Sequence, residues 1–313
     1  MQYRRLGRTD MDVSILSFGA SPLGNVFEEA NEQEGTRAVH YALDHGVNLF
    51  DVAPFYGSGL AEERLGKALK GKRNNIYLAT KCGRYGMEDF DFSYDRILTS
   101  IDQSLTRLQT DYVDIFQIHD IEFGNEQQLL NETIPAVRKV KEMGKARYIG
   151  ITGLPVRYLA HIARQADLDT VLSWAHYNLL EDEINDELVP LSKEKGFGLM
   201  NASPLLQRIL SDAPLPGWHR SPQIVKEMQP KLIALCRQYG VNLSEVAIRY
   251  ALDHPDIATT IVGIFTTTHI IQNLKAIDLS IPDGLLEQIA KLVAPAKNQM
   301  WYEGNPENNI PKK

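Results

Sequence analysis

Short apolar runs alternate along the chain with stretches whose apolar residues recur every three or four positions. The runs are Ile15–Phe18, Asn48–Asp51, Ile76–Lys81, Val113–His119, Tyr148–Thr152, Val171–Trp174, Gly198–Ala202 and Thr260–Gly263. Their length and β-branched content predict strands. Between them the helical period predicts helices over Glu32–His45 and over Leu60–Lys70, where Leu60, Leu65, Ala68 and Leu69 share a face. A third helix starts near Ser93 and carries Ile97, Ile101, Leu105 and Leu108, and a fourth covers Asn131–Met143, stopped by Gly144. Others follow Pro155, end before Gly196, and cover Ile224–Tyr239, Ser244–Asp253, His269–Ala276 and Asp283–Val293. Ahead of all this, Tyr3–Arg5 and Met11–Val13 flank Gly7–Asp10 and predict a hairpin, placed as a plug under the main sheet. The loop after Ser203-Pro204-Leu205, with Pro214, Pro216, Gly217 and Pro222, has the length of a substrate lid.

Strand–helix alternation with right-handed crossovers is compatible with a doubly wound sheet and with a closed barrel. Periodicity does not choose between them. Two features favour the barrel. No Gly-x-Gly-x-x-Gly follows the first strand, so the usual dinucleotide turn of the doubly wound fold is missing. Polar groups also close three successive strands: Asp51, Lys81 and His119. In a barrel of parallel strands such ends converge on one mouth. The expected architecture is α/β, a (β/α)8 barrel spanning 1–313 as one domain, with an N-terminal β-hairpin and extra C-terminal helices.

Composition narrows the function classes only a little. The 313 residues are 43% hydrophobic and 23% charged, as in ordinary globular proteins. Net charge is −7, from 33 basic and 40 acidic side chains without a basic cluster, so nucleic acid is not an expected partner. Two cysteines, Cys82 and Cys236, form no disulfide framework and fit a reducing compartment. No signal-like N-terminus or membrane-length apolar run is present, and a cytoplasmic location without membrane attachment is expected. No His-Glu-x-x-His or Cys-x-x-Cys pattern is present, and a metal site is not expected. Nothing marks an interface, which leaves oligomeric state open.

The strand ends carry complementary chemistry. A tyrosine titrates near ~10, too high for proton transfer at neutral pH, and a neighbouring ammonium favours its phenolate. Tyr56, on the Pro54–Gly57 turn after Asp51, is thus a candidate proton donor and acceptor, with Lys81 lowering its pKa. Asp51 would hold Lys81, and His119 would orient a carbonyl or hydroxyl oxygen. Each alone also has an ordinary reading: a turn aspartate, a solvated lysine, a structural histidine. Their combination in this order is more specific.

Phe50-Asp51-Val52-Ala53-Pro54-Phe55-Tyr56-Gly57, Ala79-Thr80-Lys81-Cys82-Gly83 and His119-Asp120-Ile121-Glu122 resemble the aldo-keto reductases, from Leu6 to about Trp301. Within them the chain is most similar to the L-galactose dehydrogenases and related aldose 1-dehydrogenases. That narrower likeness lies in Phe18–Gly24, Lys81–Tyr85, Gly150–Pro155, Ala202–Leu205 and Gly217-Trp218-His219. The resemblance implies the barrel, an extended nicotinamide dinucleotide along its mouth, and Asp51, Tyr56, Lys81 and His119 as the catalytic group. Gly19 would let a flat ligand approach the backbone. Where the family places a Ser-Asn pair on the carboxamide, this chain has Thr152 and Gly153. Trp174 replaces the usual glutamine, Ser203 lies where an aromatic ring often stacks, and Leu205 would flank the pyrophosphate. At Gly263–Asn273, NADPH-using members grip the 2′-phosphate with a lysine and an arginine, and here those positions are Gly263 and His269. Losing such charge-assisted bonds costs about 1.5–3 kcal/mol each, which predicts NAD over NADP. Thr267, Gln272 and Asn273 match the adenosine end of the motif.

The implied reaction is oxidation of an aldose at C1 to its lactone, on L-galactose or a similar sugar such as L-fucose, D-arabinose or L-rhamnose. Phe55, Tyr85, Asp120, Trp218, His219 and Trp301 are the candidates for the sugar, although aromatics often only pack. Asp120 and Glu122 would bind hydroxyls or pair with Arg84, and Cys82 reads as a small buried residue. Two other readings compete: an NADPH-linked carbonyl reductase of broad specificity, and a cofactor-binding regulatory subunit without turnover. A Schiff-base enzyme on Lys81 has less support, because Asp51 and Tyr56 have a simpler use in hydride chemistry.

Overall fold

The computed structural model describes residues 1–26 and 29–310. Strands β1 (Tyr3–Arg5) and β2 (Asp12–Ser14) pair antiparallel, Arg4 opposite Val13. Eight parallel strands then close on themselves: β3 (Leu16–Gly19), β4 (Leu49–Asp51), β5 (Tyr77–Cys82), β6 (Val113–Ile118), β7 (Ala146–Gly153), β8 (Thr170–Trp174), β9 (Gly198–Ala202) and β10 (Thr259–Gly263), with β10 pairing back onto β3. The barrel prevails over the open sheet because this last pairing leaves no edge.

Helices α1 (Glu32–Asp44), α2 (Leu60–Ala68) and α3 (Tyr94–Leu108) follow β3, β4 and β5. After β6 the chain passes through α4 (Glu126–Gln128) and a π-helical turn into α5 (Ile134–Glu142). Helices α6 (Val156–Gln165) and α7 (Ile184–Lys195) follow β7 and β8. The long loop after β9 leads to α8 (Gln223–Lys226), α9 (Met228–Gln238) and α10 (Leu243–Leu252), and β10 is followed by α11 (Thr267–Ile277) and α12 (Leu285–Val293). The helix expected over Ile224–Tyr239 is two. Pro230 lacks the N–H that would bond the carbonyl of Lys226, and the break falls at Glu227, between α8 and α9. The first turn of the helix expected from Asn131 is instead the π-helical turn Leu129–Thr133.

Strands of such a barrel are covered on both faces, which is why they read as continuous apolar runs; all of β6 is buried. Inside, Leu49, Ala79, Ile115, Leu172, Met200 and Ile261 pack with Leu6, Met11 and Val13 of the hairpin, which plugs the N-terminal end. Outside, the expected helix faces pack on the strands: Ile97, Ile101, Leu105 and Leu108 of α3 are all buried. A separate apolar cluster under the C-terminal helices joins Leu232, Val246 and Ile289 to Trp301 of the tail. The plug leaves the C-terminal strand ends as the open end. No helix among the described residues is long and apolar enough to cross a membrane.

Candidate active site

Asp51 closes β4, Lys81 lies near the end of β5, and His119 follows β6 directly. All three are almost fully buried. Tyr56 reaches them through the turn after Asp51. Gly57 sits there at φ +66°, and a Cβ would meet the carbonyl oxygen of Gly24 at 2.2 Å, so only glycine lets the two loops touch. The Lys81 ammonium donates to Asp51 Oδ1 at 2.5 Å, to the Val52 carbonyl at 3.0 Å and to the Tyr56 hydroxyl at 3.5 Å. Three N–H donors meet three acceptors. Gln117 donates to the other carboxylate oxygen of Asp51 at 3.2 Å. The ring of Tyr56 stands edge-on to His119, with centroids 5.6 Å apart.

Burial and charge set the protonation states. Burial opposes charge on Lys81, but Asp51 and then Tyr56 outweigh it and keep the ammonium above its ordinary range. Burial pushes Asp51 up, with Lys81 pulling back. Burial, then the charges of Lys81 and Arg84, hold His119 well below 6.5, so its imidazole is neutral at pH 7. Tyr56 departs from expectation. Burial pushes it up to about 12 and outweighs the pull of Lys81, which the sequence reading expected to lower it. The resting group is a phenol.

The four side chains line one cavity of about 240 Å³ with Gly19, Phe55, Asp120, Thr152, Trp174, Ser203, Trp218 and Gly263. Asp120 holds a left-handed backbone, φ +51°, and its carboxylate accepts from Arg84 at 2.6 Å. The Arg84 guanidinium stacks between Phe55 and Phe123, 4.0 and 4.8 Å from their ring centroids. Thr152 accepts the N–H of Asp120 at 3.1 Å, so its hydroxyl serves the neighbouring loop as well as the cavity.

Other candidates lie off the cavity wall. Tyr85 turns away toward α3, its ring under the Arg96 guanidinium at 4.2 Å. His219 is a brace of its own loop: Nε2 donates to the Leu206 carbonyl at 3.1 Å and Nδ1 accepts from Ser221 N–H at 3.2 Å. Trp301 backs Trp174, centroids 5.8 Å apart, rather than facing the cavity. Gly153 is buried behind the wall, where the Glu122 carboxyl fills the space a side chain would need. Leu205 packs into the apolar clusters. Cys82 is buried, and burial pushes its thiol up, which removes it as a nucleophile. Thr267, His269, Gln272 and Asn273 all lie on α11, beyond Gly263. Glu122 does not reach the cavity wall; burial and then the charge of Asp120 raise it well above the carboxylate range.

Gln207, Arg220 and Glu303 line the cavity and Gln117 supports it from beneath, none of them expected in the site from the sequence; Arg84, expected as a partner for Asp120 or Glu122, pairs with Asp120 and lines the cavity too. Gln117 had a signal, since it stands two residues before His119 and a strand repeats its faces every two. Glu303 had none, because it comes from the polar tail.

A closed parallel barrel whose mouth holds a half-buried tyrosine against a buried Lys–Asp pair, beside a neutral histidine, defines a class of carbonyl and hydroxyl oxidoreductases. Residues 15–294 match the aldo/keto reductase family, and the chain belongs to it. It is similar to L-galactose dehydrogenase from Arabidopsis thaliana, 39% identical over 98% of this chain and 99% of that one. It is also similar to D-threo-aldose 1-dehydrogenase from Pseudomonas sp, 30% identical over 89% of this chain and 94% of that one. A solved aldo-keto reductase from Bacillus halodurans, in its holo form, shares the fold with TM-score 0.80, 29% identity and coverage of 99% and 100%.

Membership implies a nicotinamide dinucleotide, and the residues present fit one. Trp174 offers a flat face on the cavity wall, beside the Thr152 hydroxyl and the exposed strand end at Gly263. On α11, Asn273 is buried with an amide nitrogen that has no partner among the described residues, a donor left over for a ligand.

Proposed function

We propose that the protein oxidises an aldose at its anomeric carbon to the lactone, with NAD as the oxidant. The observation that carries this reading is the Tyr56 hydroxyl held 3.5 Å from the buried Lys81 ammonium and edge-on to the neutral His119. The names of the two similar dehydrogenases support an aldose as the substrate.

In this scheme the C1 hydroxyl lies against Tyr56 and His119. Tyr56, as phenolate, takes the hydroxyl proton while the carbonyl of the lactone forms, and Lys81 stabilises the phenolate by its charge. The dinucleotide, when bound, supplies the hydride acceptor. His119, being neutral, orients the sugar oxygen by one hydrogen bond without placing a second cation beside Lys81. Asp51 and Gln117 keep the ammonium aimed at Tyr56. In reverse, the phenol returns the proton to the carbonyl oxygen.

Preference for NAD rests on α11. Thr266 caps that helix, and its next residue, Thr267, donates its N–H to Glu34 Oε1 at 2.7 Å. That bond, with Arg37 on the same carboxylate, holds Glu34 down to about 2. A helix N-terminus favours an anion, and here a carboxylate of α1 already occupies it. A 2′-phosphate arriving there would compete with that carboxylate for the helix N-terminus and for Arg37, without the lysine and arginine that Gly263 and His269 replace.

The test is an initial-rate screen of NAD and NADP reduction over a panel of aldoses, with Tyr56→Phe beside the wild type. NAD-linked turnover of a sugar group, lowered about a thousandfold or more by Tyr56→Phe, is the expected result. NADPH oxidation by small aldehydes with no turnover of any aldose refutes the reading.

A further inference from the structure

The tail after α12 crosses back over the barrel mouth as a strap. Trp301 wedges behind Trp174, and past it Asn305 donates its backbone N–H to the Glu122 carbonyl at 2.8 Å. The Asn308 amide donates to the carbonyls of Glu122 and Gly124, both at 2.9 Å. Glu303 lies between these anchors, so its backbone is fixed on both sides. Its Oε1 accepts from Trp301 Nε1 at 2.8 Å and from Arg220 Nη1 at 2.8 Å. Its side chain is only 8% exposed, and it forms part of the cavity wall that also holds Tyr56 and His119.

A carboxylate has about four acceptor positions, and among the described residues the bonds to this one fall on a single oxygen. A fixed acceptor facing a cavity is costly to desolvate beside an apolar substrate and repels an anion, but it matches hydroxyl donors. The cavity wall has two such arginine–carboxylate pairs, Arg84–Asp120 and Arg220–Glu303. They leave little net charge and many hydrogen-bonding edges, the requirement of a neutral polyol. The two pairs stand at different depths. Asp120 is the residue after His119 and is almost fully buried, whereas Arg220 is 53% exposed and marks the rim. With C1 at Tyr56 and His119, the far end of a hexose reaches toward the rim.

We propose that Glu303 is a specificity-determining residue that accepts hydrogen bonds from sugar hydroxyls remote from C1. The proposal rests on the aldose reading above. It is tested with Glu303→Gln, which keeps an acceptor for Trp301, and with Glu303→Ala. Both are assayed on L-galactose oxidation and on reduction of glyceraldehyde, which lacks every hydroxyl beyond C3. The expected result is a fall of about tenfold or more in kcat/KM for L-galactose, carried mainly by KM, with glyceraldehyde changed less than about twofold. An equal fall on both substrates makes Glu303 a structural residue and overturns the proposal, as does no fall on either. A wild-type enzyme inert on every aldose removes the aldose reading and this inference with it. An active wild type with unaffected variants removes the inference alone.

Discussion

The ammonium of Lys81 lies 2.5 Å from Oδ1 of Asp51, and neither side chain is more than 6% exposed. Removing one partner of a buried pair strands the other charge, at about 3–5 kcal/mol. Lys81→Met therefore lowers unfolding free energy by that order, while the double variant with Asp51→Asn loses less than the sum of the singles. Denaturant melts of the four proteins measure the coupling. Additive losses would mean the pair is not an energetic unit.

In the proposed scheme Tyr56 sets the pH dependence. Its pKa is raised, to about 12, so the phenol dominates at neutral pH and the phenolate fraction grows as pH rises. Sugar oxidation, which needs the base, speeds up through the alkaline range, whereas carbonyl reduction, which needs the acid, does not. Rates in both directions between about pH 6 and 10 check the sign. Oxidation that slows as pH rises would refute the role.

The Glu122 carboxyl is packed beneath Gly153, with Oε2 2.5 Å from where a Cβ would stand and Oε1 accepting the N–H of Leu154 at 3.0 Å. Restoring the family's asparagine by Gly153→Asn overfills a fully buried site and costs about 1–3 kcal/mol. Adding Glu122→Ala vacates the space and recovers part of that loss. Thermal melts of both variants decide it; no loss in the single variant would show that Glu122 moves freely.

Glu34 guards α11. Glu34→Gln removes the charge beside the Thr267 N–H and strengthens binding of NADP and of 2′,5′-ADP by about tenfold, with NAD binding nearly unchanged. Calorimetric titration of the cofactor-free protein reads this without turnover. Equal gains for NAD and NADP would place the effect in helix packing instead.

Glu181 is buried, neither carboxyl oxygen has a hydrogen-bond partner among the described residues, and burial, then Glu183, raises it to about 9. The folded state then binds more protons than the unfolded one between roughly pH 4.5 and pH 9, so its contribution is full below the unfolded pKa and is lost as pH rises through that window. Glu181→Gln raises the midpoint of thermal unfolding at pH 8 and changes it much less at pH 5. The same shift at both pH values would exclude titration as the cause.

Each barrel strand was visible in the chain because its residues are buried on both faces, and burial leaves a local mark in composition. The places of Asp51, Lys81 and His119 followed, since they end such runs and strand ends of a barrel meet. What depends on a side chain's direction or on distant neighbours was not visible. Arg84 and Tyr85 are adjacent, yet only Arg84 enters the cavity, stacked on Phe55 and Phe123. His219 carries the chemistry of a site residue but spends both nitrogens on its own loop. Lys81 beside Tyr56 argues for a lowered pKa until burial is counted, and burial is a property of the whole fold. Glu303 meets Arg220 and Tyr56 at one cavity from far apart in the chain, brought there by tertiary packing alone. Local pattern carries the barrel because hydrophobic burial repeats along the backbone; the site's protonation states and outer wall arise from contacts between segments that no local pattern encodes.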